Sequence, residues 1–394
     1  MRAGGVVTPA AAACDVVVIG GGIVGSSLAY ELVTAGADVV LVDRHEPGRA
    51  TAAGAGILTP ETNRHPDPAF FEFGMDAGRH YDALVERLAD DGIADTGYQT
   101  TGSILVAERP GDDAAMEEAV EVVTRRSPGI VGEIDAGDVG RLFPPLGPVR
   151  RALYNPAGRR VDGRVLNDAL TRAAVSRGVR LVHAGVTDID LDPAGGRARG
   201  VFTTEGPVPA GAVALAGGAW SGELSRALGV TIPVTPLKGQ IVHLALPDTD
   251  SRSWAIVQPV LGFYLVPWPD GRVACGGTME AEAGFDHRPT ADGVHQLLRE
   301  GLRSAPGLAQ ATVAEVRVGS RPATPDDRPV LGPVPGWDNV HVASGHGAEG
   351  LLLGPFSGKL VASAVLGTDT SSDAAQRRRS ARMLETLSPA RFTP

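Results

Sequence analysis

The chain has 394 residues, 43% of them hydrophobic, with 52 glycines, 30 prolines and a formal net charge of −10 at pH 7. That length supports a large core and about two domains, and the acidic balance argues against nucleic-acid binding, which needs a basic footprint. Cys14 and Cys275 form neither a CxxC pair nor a metal-ligand spacing, so no disulfide framework or thiolate metal site is expected, and a reducing, cytoplasmic setting fits.

The opening "MRAGGVVTPAAAAC" lacks a continuous hydrophobic signal core and reads as a short disordered tail. No uninterrupted apolar run approaches the roughly 18 residues of a membrane helix, so no membrane span is expected. An apolar strand from Asp15 to Ile19 then feeds the glycine pattern Gly20, Gly22 and Gly25, followed by a helix through about Ala35. Gly20 permits the tight turn, Gly22 removes a side chain that would block a pyrophosphate, and Gly25 lets helix pack on strand. The helix start at Ile23 and Val24 offers unpaired N–H groups to phosphates. The next strand, "ADVVLVD", ends at Asp43, 18 residues after Gly25, with Arg44 beside it. A carboxylate there accepts hydrogen bonds from both ribose hydroxyls of a nucleotide and repels a 2′-phosphate.

"GRATAAGAGILTP" at 48–60 stands where an ordinary NAD domain has its next strand and helix. Its side chains are small around Arg49, Ala50, Thr51, Ala55, Gly56, Ile57 and Leu58. Such a segment admits a bulky planar ring close to the backbone, with the Thr51 hydroxyl as a donor; the alternative is a flexible linker. Strand character follows at 97–109. A strand is expected over 181–192, including Val186, and a strand–turn–helix over 210–229, with Ala216, Gly217 and Trp220 at its turn. The stretches 238–246, 262–268 and 271–280 alternate and, with 97–109, suggest an antiparallel sheet. "SGHGAEGLLLGPFSGKLVASAVLG" at 344–367 is a second glycine turn entering an apolar helix, with His346, Gly347, Ala348, Glu349, Gly350, Leu351 and Leu352 at its start. The basic "QRRRSARM" at 376–383 reads as the solvated face of a terminal helix.

Five of these stretches, "GGGIVGSSLAYEL", "GRATAAGAGIL", "VALAGGAWSGEL", "RPATPDDRPVLG" and "GHGAEGLLLGP", in this order and over nearly the full length, resemble the D-amino acid oxidase family of FAD enzymes, and within it the glycine oxidases. The resemblance implies an α/β fold: a discontinuous Rossmann-like FAD-binding domain of the glutathione-reductase type (1–92, 158–232 and 318–394) and an antiparallel-sheet substrate domain (93–157 and 233–317) with helices around 112–126 and 290–304 covering its outer face. Both glycine turns then serve one non-covalent FAD, the first at the pyrophosphate and the second at the isoalloxazine ring. The cysteine that tethers the flavin in related sarcosine oxidases falls at Gly319.

The resemblance also assigns the chemistry: oxidation at Cα of glycine or a small D- or N-substituted amino acid, with O2 reduced to H2O2 and no metal. Arg321 matches the carboxylate-binding arginine, whose guanidinium fork suits a carboxylate; an ion pair with Asp326 or Asp327 is the structural alternative. Tyr264 matches the tyrosine that helps hold the carboxylate, and Met279 borders the substrate pocket. Ala348 stands where glycine oxidase carries a second arginine, and Glu349 either points inward toward a substrate cation or lies at the helix start facing solvent. Lys238 either sits near the ring or pairs with an acid. His243, His341 and His346 read as satisfied polar groups. Two other readings stay open: a biosynthetic oxidase of a hydrazino- or N-substituted glycine, and a dehydrogenase or electron-transfer subunit. The substrate and O2 are the expected partners, with a homo-oligomer possible.

Overall fold

The computed structural model describes residues 13–368 and 374–392, so residues 1–12 of the expected N-terminal tail lie outside the described residues, while Cys14, its last residue, begins the first strand. Cys14–Ile19 and Val39–Val42 are apolar runs with almost every residue buried, the pattern of parallel strands covered on both faces. They sit at the centre of a sheet ordered Val186–Leu191, Ala198–Thr203, Gly206–Leu215, Cys14–Ile19, Val39–Val42 and Arg180–Val182. Val340–Ser344 joins it in parallel on Gly206–Leu215, and Val330–Pro333 pairs antiparallel with that strand. One sheet is thus assembled from three separated stretches of chain. The stretch 181–192 proves to be two strands. Arg180–Val182 runs parallel to Val39–Val42, whereas Val186–Leu191 turns to pair antiparallel with Ala198–Thr203.

The helix Ile23–Thr34 packs on this sheet together with the apolar helix Gly350–Leu366, and Gly163–Ser176 packs against Ile23–Thr34. The stretch Gly347–Leu366 is long and apolar enough to cross a membrane by length and composition. The expectation from uninterrupted runs passed over it because glycine, serine and proline break the run without lowering its mean hydropathy far. Most of it is buried against Ile23–Thr34 and Pro68–Asp90, and the Tyr81 hydroxyl donates to the Leu351 carbonyl near its start.

A second eight-stranded sheet is ordered Thr312–Ala323, Thr235–Ala245, Arg272–Gly276, Tyr264–Pro267, Ile256–Pro259, Ser103–Ala107, Arg151–Asn155 and Gly132–Ile134. It is mixed rather than wholly antiparallel, because Ser103–Ala107 runs parallel to Ile256–Pro259. The stretch 97–109 is divided as well: Tyr98–Thr100 leaves this sheet to form a three-stranded one with Arg159–Val161 and Ile57–Leu58. The helices Asp113–Arg126 and Ala291–Ser304 form where expected, the latter capped by the Thr290 hydroxyl. A domain boundary at 317/318 would cut the continuous strand Thr312–Ala323. Cys14 and Cys275 are free and buried.

Candidate active site

Residues from both large sheets line a cleft of about 490 Å³ that runs from Gly20 and Asp43 to Tyr264, Arg321 and Ala348. At the first end, Gly20 has φ +105°, a conformation costly for any residue with a Cβ, and a side chain there would also overlap the Ala216 carbonyl. A Cβ on Gly25 would overlap the Gly20 carbonyl, so Gly25 is the floor of the turn and not part of its lining. The N–H of Gly21 and the guanidinium of Arg49 reach Asp43 Oδ2 at 3.0 and 3.1 Å, and the His45 N–H reaches Oδ1 at 2.8 Å. These bonds orient the carboxylate toward the cleft, with lone pairs left for hydroxyl donors. The Thr51 oxygen accepts from the Ile23 N–H at 3.0 Å, which ties the 48–60 segment to the helix start and leaves the Thr51 hydroxyl proton to donate.

Gly22, Ile23, Val24, Arg44, Ala50, Ala55, Gly56, Ile57, Val186, Ala216, Gly217, Trp220, His346, Gly347, Gly350 and Leu351 line the same cleft. Leu58, Leu352 and Glu349 do not. Leu58 and Leu352 are sunk in the core. Glu349 takes neither expected orientation: its Oε1 accepts from Asn63 Nδ2 at 3.0 Å, and its Oε2 is buried without a hydrogen-bond partner. Burial lifts this carboxyl above the usual range, and the Asn63 bond only partly offsets that. His346 is 4% exposed, with Nε2 at 2.9 Å from Ser357 Oγ, and burial lowers its pKa to about 3. It is therefore neutral at working pH, so the positive character at this turn comes from the N-terminus of Gly350–Leu366.

At the other end, Arg321 projects from Thr312–Ala323. Its Nη1 donates to the Thr278 carbonyl at 2.9 Å, and among the described residues no carboxylate pairs with it. Asp326, the expected competitor, is bound instead by Arg391 at 2.8 Å. The Tyr264 hydroxyl converges on the same space: a Cβ on Gly277 would lie 3.0 Å from both Arg321 Nη2 and Tyr264 Oη. Burial pushes the Tyr264 hydroxyl up to about 12 even against the pull of the Arg321 charge, so it stays a proton donor. Met279, 68% exposed, and Ala348 border this end. Lys238 is absent from the lining: it is 1% exposed and its Nζ pairs with Glu280 at 3.3 Å.

Gly239 and Gly277 also line this end, and the sequence reading passed over both. A Cβ on Gly239 would come within 2.5 Å of the Arg321 Cζ, so only glycine leaves the guanidinium its place. The available signal was a glycine inside a strand pattern, which marks close approach. Asn63, the partner of Glu349, carried no local signal.

The fit to a dinucleotide rests on the glycine turn, the oriented Asp43 and a cleft that continues past them to the Arg321 end. The comparisons agree. The family described as FAD dependent oxidoreductase, DAO, matches residues 15–364. The chain belongs to this family. It is 33% identical over 365 residues to a glycine oxidase of Pseudomonas putida, covering 92% of this chain and 97% of that one. An uncharacterized oxidoreductase of Bacillus subtilis, YurR, is 36% identical over 360 residues, or 91% and 96% of the two chains. Among solved structures, the iminodiacetate oxidase of Chelativorans sp. BNC1 superposes with a TM-score of 0.85 at 39% identity, covering 92% of this chain and 98% of that one. The protein is an FAD-dependent enzyme that oxidises an amine or amino acid.

Proposed function

We propose that this flavoenzyme is an oxidase that removes hydride from Cα of a glycine unit, with glycine substituted at nitrogen preferred over glycine itself. The observation that carries the reading is Arg321: a half-buried guanidinium with no carboxylate partner among the described residues, oriented by Thr278 and facing the Tyr264 hydroxyl. A half-buried arginine of this kind donates two parallel charge-assisted bonds to a carboxylate, and Tyr264 donates a third. Likeness to an iminodiacetate oxidase supports the secondary-amine preference, as does the small Ala348, which leaves room beyond the carboxylate for a nitrogen substituent. The chemistry that bound FAD would supply is that of a hydride acceptor reoxidised by O2, with H2O2 as the reduced product.

The chain's own residues supply position and electrostatics. Arg321 and Tyr264 fix the carboxylate, and with it the direction of the Cα–H bond. Neutral His346 leaves the helix start at Gly350 as the positive end beside the reacting region. Asp43, the Gly20–Gly25 turn and Thr51 would hold the dinucleotide without a covalent bond; a cysteine in place of Gly319 would put its Cβ 2.7 Å from the Ala53 Cβ. The test combines cofactor release with a substrate panel. Acid treatment is expected to free FAD, and the native protein is expected to form peroxide faster from iminodiacetate and sarcosine than from glycine, with little from methylamine. Comparable rates from methylamine, or flavin that stays with the chain, would overturn the reading.

A further inference from the structure

We propose that Phe285, which does not itself line the cleft, is a positioning residue for the cofactor: it holds Trp220 in the nucleotide end of the site. The inference rests on the FAD assignment and not on the choice of substrate.

Trp220 sits in the turn after Gly206–Leu215 and lines the cleft while only half buried. An indole in that position needs a neighbour to fix its plane. Phe285 supplies it, with ring centroids 4.8 Å apart and planes 13° from parallel. The Arg44 guanidinium also lies against the indole, 5.5 Å from its centroid, and Arg44 follows the ribose-facing Asp43 in sequence. Phe285 belongs to the segment after Arg272–Gly276, in the second sheet's half of the molecule, so this stack joins the two halves across the cleft.

The segment is anchored beside the stack. His287 Nε2 lies 2.9 Å from Ser320 Oγ, and the imidazole fills the space that a side chain at Gly48 would occupy. Ser320 in turn donates its N–H to the Gly48 carbonyl at 2.9 Å, next to Arg49, which holds Asp43. The same segment begins with Gly277 and Met279 at the reactive end. One stretch of about ten residues therefore touches both ends of the cofactor cleft, and Phe285 is where it meets the nucleotide side.

The account predicts that Phe285→Ala releases FAD from the holoenzyme about two- to tenfold faster, the range for loss of one stacked aromatic pair. Release is read as the recovery of flavin fluorescence on dilution. The rise in Tm that FAD gives the apoprotein should shrink as well, a readout that a purely structural role would leave unchanged. Phe285→Tyr should restore both values. Phe285→Leu keeps the apolar volume but loses the plane, so it should behave like Phe285→Ala and carries the test if the alanine variant fails to fold. Release rates and FAD-induced Tm shifts equal to those of the unaltered protein, with apo and holo forms destabilised alike, would overturn the proposal.

Discussion

Arg321→Met is expected to lower kcat/KM for carboxylate substrates by about thirtyfold to several thousandfold, while the oxidised-flavin spectrum persists. Truncating one member of a buried, hydrogen-bonded charge pair costs about 2–5 kcal/mol, which sets that range. The flavin should stay because Arg321 stands at the Tyr264 end of the cleft, whereas Asp43, Thr51 and the Gly20 turn, the groups proposed to hold the dinucleotide, line the other end. Methionine approximates the length of the stem and removes only the fork. Arg321→Lys should recover a fraction of the activity, since an ammonium keeps the charge but not the bidentate geometry. Steady-state kinetics on both variants decide the matter. Near-normal values for the methionine variant would make Arg321 a structural residue tied to Thr278 and nothing more.

Ala348→Arg is expected to reverse the substrate preference. A guanidinium at this position adds a second carboxylate contact for glycine and occupies the space assigned to a nitrogen substituent. kcat/KM for glycine should rise and that for iminodiacetate fall, each by about tenfold, which corresponds to about 1.4 kcal/mol. Placing a cation at the start of Gly350–Leu366 opposes the helix dipole by about 0.3–1 kcal/mol, too little to cancel the shift. The companion idea, that Glu349 meets a cationic substrate directly, does not survive the structure: its carboxyl is turned away to Asn63. If Ala348→Arg leaves the ratio of the two specificity constants unchanged, the substituent lies elsewhere in the cleft.

These two residues also mark how much the sequence disclosed. The Gly20–Asp43 unit was legible because strand, turn, helix and acid lie within one short stretch and each has a local steric reason. Arg321 and Tyr264 were legible only through family resemblance, since nothing in "GSRPATP" or "GFYLVPW" says that two side chains from different strands converge. Glu349 was misplaced because its orientation is set by Asn63, 286 positions away. The parallel pairing of Ser103–Ala107 with Ile256–Pro259 escaped for the same reason, as strand direction between distant segments leaves no periodicity to read. Lys238 had two open readings, and its burial beside Glu280 decided for the ion pair. The contact between Trp220 and Phe285 joins segments from opposite sides of the cleft and had no signal in either stretch.

The central claim, a glycine unit held by its carboxylate while Cα gives up hydride, is tested most directly by mixing holoenzyme with substrate in the absence of O2 and following loss of the oxidised-flavin absorbance. The account predicts saturable bleaching by iminodiacetate and sarcosine, slower bleaching by glycine, and at least about thirtyfold weaker response when the carboxylate is removed, as in dimethylamine against sarcosine. Equal bleaching by the amine that lacks the carboxylate, or none by any compound containing a glycine unit, would contradict it.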